Sequence, residues 1–183
     1  MLNIYVANLG KYNEGFLVGE WLELPATQEQ ITEMYDRIKI CHDEKVYCDC
    51  CGNPYEEVAI HDYETDIAGI EIGEWSSIDE LNELAESLEE LNENDREVIE
   101  ALLEAGYDLE EAMEKKDDCI VWTNCNDMSD VAYEYCQMSG MFENVPDFVE
   151  RYFDYDAFGR DMDLEGYSHY IFTDCGNCVE IPR

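Results

Sequence analysis

The sequence predicts an α+β protein of three small segments: a β-rich N-terminal domain over 1–70, an acidic helical domain over 71–118, and a mixed α+β domain over 119–183. Three observations lead there. The apolar residues alternate with a period near two at the start, shift to a helical period in the middle, and mix both at the end. Turn and capping residues stand at the points where the period changes. The third observation is charge: 46 Asp and Glu face 10 Lys and Arg, a net of −36, in a chain still 46% hydrophobic with 13 Tyr, 6 Phe and 3 Trp. Disordered acidic segments lack such an apolar and aromatic complement, so this chain folds in spite of its charge.

Ile4–Ala7 and Phe16–Leu24 read as strands, the second alternating at its end, with the turn formers of 8–15 between them. Pro25 closes the second strand, and Thr27 is an N-cap for a helix carrying Ile31, Met34, Tyr35 and Ile38. Glu57–Tyr63 reads as a strand returning to the sheet, after an extended Cys-rich loop over 41–54. Ser77 and Glu80 form a capping box ahead of Leu81, Leu84, Ala85, Leu88 and Leu91. Asn94 is the expected cap of the next helix, with Val98, Ile99, Leu102 and Leu103 on its apolar face and Gly106 at its end. Asp108 starts a third, shorter helix. Cys119–Thr123 reads as a strand, Asp127 or Ser129 opens a helix ending at Gly140, Pro146 opens another, and Tyr167–Thr173 with Cys178–Ile181 reads as a closing hairpin.

Composition excludes several classes. No run of ~18 apolar residues is present to span a membrane, and the first residues lack the basic and apolar regions of a secretory signal. Nine cysteines, an odd number, read as reduced thiols of a cytoplasmic protein. So few bases disfavour direct binding to nucleic acid or anionic lipid.

The acidity is spread along the chain, with nets of −10, −16 and −10 over the three segments. Positions three or four apart on a helix lie ~5–6 Å from one another on one face. Asp79, Glu83, Glu86 and Glu90 follow that spacing, Glu93 sits at the joint, Glu97, Glu100 and Glu104 continue on the next helix, and Glu110, Glu111 and Glu114 belong to the third. Asp127, Asp130, Asp154, Asp156, Asp161 and Asp163 extend the surface into the last segment. Duplex DNA carries one charge per ~1.7 Å of axis counting both strands, and rows of carboxylates on adjacent helices approach that density. Two readings stay open on charge alone: a surface that imitates DNA for a protein that grips phosphate with Arg and Lys, and a plain solvated acidic surface.

Several stretches resemble the ArdA-type antirestriction proteins: Ile4–Gly15, Val18–Trp21, Ile60–Glu64, Ser77–Asn82, Asp127–Ala132 and Tyr155–Leu164, in order over nearly the whole chain. The resemblance implies an elongated three-part homodimer that imitates bent duplex DNA. It also implies occupation of the DNA groove of type I restriction–modification enzymes, at their methyltransferase and specificity core, with no chemistry and no cofactor. The runner-up is an acidic interaction module or chaperone for a basic nucleic-acid-binding protein. The Cys-rich loop departs from the pattern of the resemblance.

Other candidate sites are weaker. Cys48-x-x-Cys51 and Cys175-x-x-Cys178 have zinc-knuckle spacing, and His42, Cys48, Cys50 and Cys51 form a local alternative. The long separation of the pairs favours plain thiols. Asp161–Gly166 resembles the start of a calcium loop, but its twelfth position is Phe172 where a bidentate Glu is needed. His42, His61 and His169 serve no recognisable nucleophile, so an enzyme is not expected. The many aromatics of the last segment are expected mainly in its core, with Val131, Ala132 and Tyr135 expected at a dimer contact.

Overall fold

β1 (Leu2–Asn8) turns one face to the core, with Leu2, Ile4 and Val6 almost wholly buried on it. It pairs antiparallel with β2 (Gly19–Leu24), Ile4 opposite Leu22, and with β3 (Val58–Thr65), Val6 opposite Ile60, giving the order β2-β1-β3. The computed structural model describes residues 1–48 and 54–183, and its contacts divide the chain into two compact units, Met1–Leu91 and Asn92–Arg183.

In the first unit the turn formers after β1 fold as one helical turn, α1 (Leu9–Asn13), where a plain turn was expected. The reason is Asn8, fully buried: its side-chain oxygen accepts from the Lys11 amide (2.9 Å) while its amide donates to the Ile38 carbonyl (2.9 Å). α2 (Gln28–Ile38) starts at the Thr27 capping box and ends at Lys39 in the left-handed conformation, φ 66°. It lays Ile31, Met34 and Ile38 on the sheet. α3 (Ile78–Glu89), capped by Ser77, adds Ile78, Leu81 and Ala85 to the same core, and buries Leu88 as well. Its Asn82 accepts from the Ala26 amide at 2.6 Å. Burying Ile78, Leu81 and Leu88 contributes about 6 kcal/mol before ordering costs.

The second unit opens with α4 (Glu93–Glu104), α5 (Leu109–Lys115) and a 3-10 turn over Lys116–Asp118. The cap of α4 is Asn92, extended at φ −78° and ψ 172° and accepting from the Asp95 amide (2.9 Å); the expected cap, Asn94, lies inside the first turn. Then follow β4 (Ile120–Trp122), α6 (Met128–Met138), α7 (Asp147–Glu150), α8 (Tyr155–Glu165), β5 (Ser168–Phe172) and β6 (Cys178–Pro182). The strands form an antiparallel sheet in the order β4-β6-β5. Thus the contacts cut the chain once, at Leu91, inside the stretch read as a separate helical domain: α3 packs with the first sheet, while α4 and α5 are in the second unit.

α6 and α8 cross at Gly159, where an added Cβ would stand 2.2 Å from the Met128 carbonyl oxygen. That close approach buries Val131 and Ala132 completely. Neither side chain retains surface for a partner, so of the three residues expected at a dimer contact only Tyr135, 40% exposed, is accessible. The expected aromatic core is only partly realised. Phe142, Phe153 and Tyr155 meet edge to face at 4.9–5.1 Å, whereas Tyr133, Phe148 and Tyr152 are exposed.

Candidate partner-binding surface

Helical geometry decides which carboxylates face water. On α3 the apolar positions 78, 81, 85 and 88 are buried, so Asp79, Glu83, Glu86 and Glu90 emerge on the other side, all exposed. Glu93 and Glu104 at the two ends of α4 are exposed, as are Glu110 and Glu114 of α5. Glu83, Glu86, Glu90, Glu93, Glu104, Glu110 and Glu114 make no side-chain hydrogen bond or ion pair among the described residues. Asp156, Asp161 and Asp163 are exposed on α8.

The remaining expected site residues have work inside the fold. Glu97, half-buried, accepts from the Thr173 hydroxyl and from the Asn177 amide (3.0 Å to each oxygen), tying α4 to the turn between β5 and β6. Glu111 completes a capping box with Asp108 at the start of α5. Asp127 caps α6, Asp130 accepts from the Asn126 amide (2.8 Å), and Asp154 caps α8. Glu100 is half-buried on α4 and engaged. Glu111, Asp127, Asp130 and Asp154 serve near neighbours in the chain, whereas Glu97 is claimed by residues far along it.

Several bases are likewise engaged. Arg37 grips Glu20 (2.8 and 3.0 Å), Lys116 lies between Asp95 and Asp117, and Lys45 pairs with Asp36. Lys11 sits 4.7 Å over the Tyr55 ring, Lys39 4.9 Å over Tyr47, and Lys115 5.7 Å over Tyr107. The first unit holds 22 acids and 4 bases, the second 24 and 6, so each carries a net of −18. Like charges at helical spacing each cost about 0.2–0.5 kcal/mol, a repulsion that a positively charged partner relieves.

The described part of the Cys-rich loop is anchored at Asp36. Its carboxyl lies well below the usual carboxylate range because Lys45, Tyr47 (2.8 Å) and His42 (2.8 Å) all bond to it. Cys50 and Cys51 lie outside the described residues. Cys48 and Cys175 are exposed, whereas Cys178 is buried, which pushes its thiol up to about 12. Among the described residues no group of three or more His, Cys, Asp or Glu is placed to hold a metal. Residues 161–165, whose sequence resembles the start of a calcium loop, are the last turns of α8, which runs through Glu165. His61 meets the Tyr12 ring edge to face, with centroids 4.6 Å apart. No helix among the described residues is long and apolar enough to cross a membrane.

The fold leaves rows of carboxylates to solvent and engages several of its bases with its own acids and rings, so its surface is strongly negative. Comparison with known families makes the class specific: the family model for antirestriction protein matches residues 4–176. The chain belongs to that family, ArdA, and the match spans both units. A search of curated proteins gave no significant match.

Proposed function

We propose that this antirestriction protein acts as a DNA mimic, occupying the DNA groove of a type I restriction–modification enzyme at its methyltransferase and specificity core. The reading rests on one observation: the solvent-facing rows Asp79, Glu83, Glu86, Glu90 and Glu93, Glu104, Glu110, Glu114 lack partner cations among the described residues. Arg and Lys groups that normally hold phosphate meet carboxylate oxygens in the same way, by charge-assisted hydrogen bonds. The mechanism is competitive occupancy without bond making, and the working assembly is a homodimer.

Binding to the methyltransferase core in competition with its cognate DNA, across a salt series, tests this. Mutually exclusive binding that weakens with salt is expected. A ternary complex with DNA still attached, or binding only to free basic proteins at large, would favour an acidic chaperone instead. Because screened surface charges contribute about 0.2–1 kcal/mol each, single changes such as Glu86→Ala shift affinity no more than about fivefold. Glu83→Gln, Glu86→Gln and Glu90→Gln together lose about tenfold or more. One carboxylate whose loss abolished inhibition would refute distributed recognition.

A further inference from the structure

We propose that a cleft in the second unit, between α6, α8 and the β5–β6 hairpin, is a guanidinium-binding pocket that receives an arginine side chain of the partner protein. The identity of the partner rests on the function proposed above; the chemistry of the pocket stands apart from it. The cleft has a volume of 410 Å³, within the ~300–1,000 Å³ of small-ligand sites. Tyr135, Phe158 and Tyr167 line it with aromatic surface, and Asp161, Glu165 and Glu180 with carboxylates. Tyr135 from α6 and Phe158 from α8 stand 6.0 Å apart, inclined at 47°.

The second indication of a cation is Glu180. Half-buried in the cleft wall, it accepts from the Trp122 indole (3.0 Å), the Ser168 hydroxyl (2.8 Å) and the Tyr170 hydroxyl (3.3 Å). All three donors are neutral, and no Lys or Arg pairs with Glu180 among the described residues. A carboxylate held by neutral donors alone gains from a cation brought beside it, by charge-assisted hydrogen bonding. Tyr170 remains a donor there, since burial and then the Glu180 charge push its hydroxyl upward. α8 also ends at the cleft, at Glu165 and Gly166, so the negative end of its dipole adds to the field.

Aromatic faces beside carboxylates select guanidinium over ammonium. The planar, weakly hydrated group stacks on rings while its fork of N–H donors engages carboxylate oxygens, whereas an ammonium acts as a hydrated point charge. Arginine is also the residue a phosphate-gripping protein offers most often in bidentate contacts. The pocket would therefore add one discrete anchor to a surface that otherwise recognises by distributed charge.

The test is an NMR titration of the full chain with N-acetylarginine amide, its lysine counterpart and its uncharged citrulline counterpart, in about 0.15 M salt to screen the general acidity. Saturable shifts at Tyr135, Phe158 and Tyr167 are expected with arginine, weaker ones with lysine and none with citrulline. Glu180→Gln, and separately Asp161→Asn with Glu165→Gln at exposed positions, each weaken arginine binding about tenfold. If Glu180→Gln loosens the fold, the exposed pair still decides. Shifts that never saturate and spread over α3 and α4, or that persist unchanged in the exposed-pair variant, would overturn the pocket. Competition with DNA for the restriction enzyme would survive that failure, so the two proposals fall separately.

Discussion

Glu97 sits in an acidic row by sequence but in the framework by structure, and replacing it with Ala separates the two roles. The substitution strips the acceptor from the Thr173 hydroxyl and the Asn177 amide. A hydrogen bond to a charged group contributes about 1.5–3 kcal/mol when buried. Discounting for the half-exposed position, the two donor groups together give a loss of about 2–3 kcal/mol. The damage spreads, because Asn177 also accepts from the Asn124 amide (3.0 Å) and closes the β5–β6 turn with Thr173 (2.9 Å). For a unit of this size, about 4–8 °C per kcal/mol puts the fall in its unfolding midpoint near 10–20 °C. Glu83→Ala on α3, exposed and unpaired, stays within about 0.5 kcal/mol. Urea and thermal unfolding of both variants, followed by circular dichroism, supply the comparison. A Glu97→Ala protein as stable as Glu83→Ala, or a double-mutant cycle with Asn177→Ala showing no coupling, would refute the assignment.

Gly159→Ala drives a methyl group against the Met128 carbonyl, so α6 and α8 must separate; a loss of about 3 kcal/mol, read by denaturant unfolding, is expected. At pH 8 a thiol reagent modifies Cys48 and Cys175 rapidly, while Cys125, Cys136 and Cys178 react only as the second unit opens. Burial raises Cys125 to about 11 and Cys178 to about 12, from the ordinary 9.0. The unfolded chain therefore ionises first. The stability these thiols contribute is whole below pH 9 and falls as pH climbs from 9 towards 12, which unfolding midpoints of the wild type against Cys178→Ala measure.

Local chemistry was legible in the sequence and tertiary assignment was not. Thr27, Ser77, Asp108 and Asp127 cap the helices where their side chains lead one to expect, because a cap is a contact between near neighbours. The alternation before Leu24 and the paired runs after Tyr167 likewise emerge as strands. What periodicity cannot tell is which surface an apolar stripe meets. Hence α3 joins the first sheet although its sequence continues smoothly into α4, and Val131 and Ala132 turn into their own core once Gly159 admits α8. The same limit governs the carboxylates. Helical spacing gives the rows, but Glu97 is claimed by a side chain 80 residues away, and Glu180, read only as part of a closing strand, becomes the floor of a cleft. No local signal marks either residue.

The strand orders carry a consequence for the newborn chain. In the first sheet the middle strand, β1, is made first, so the sheet is complete as soon as β3 leaves the ribosome, with α3 close behind. In the second sheet the middle strand, β6, is made last of the six, and β4 and β5 have no partner in the sheet until it emerges. One unit can thus mature during synthesis, while the other waits for Cys178–Pro182, its half-made apolar surface held apart from that of neighbouring chains by the density of negative charge already translated.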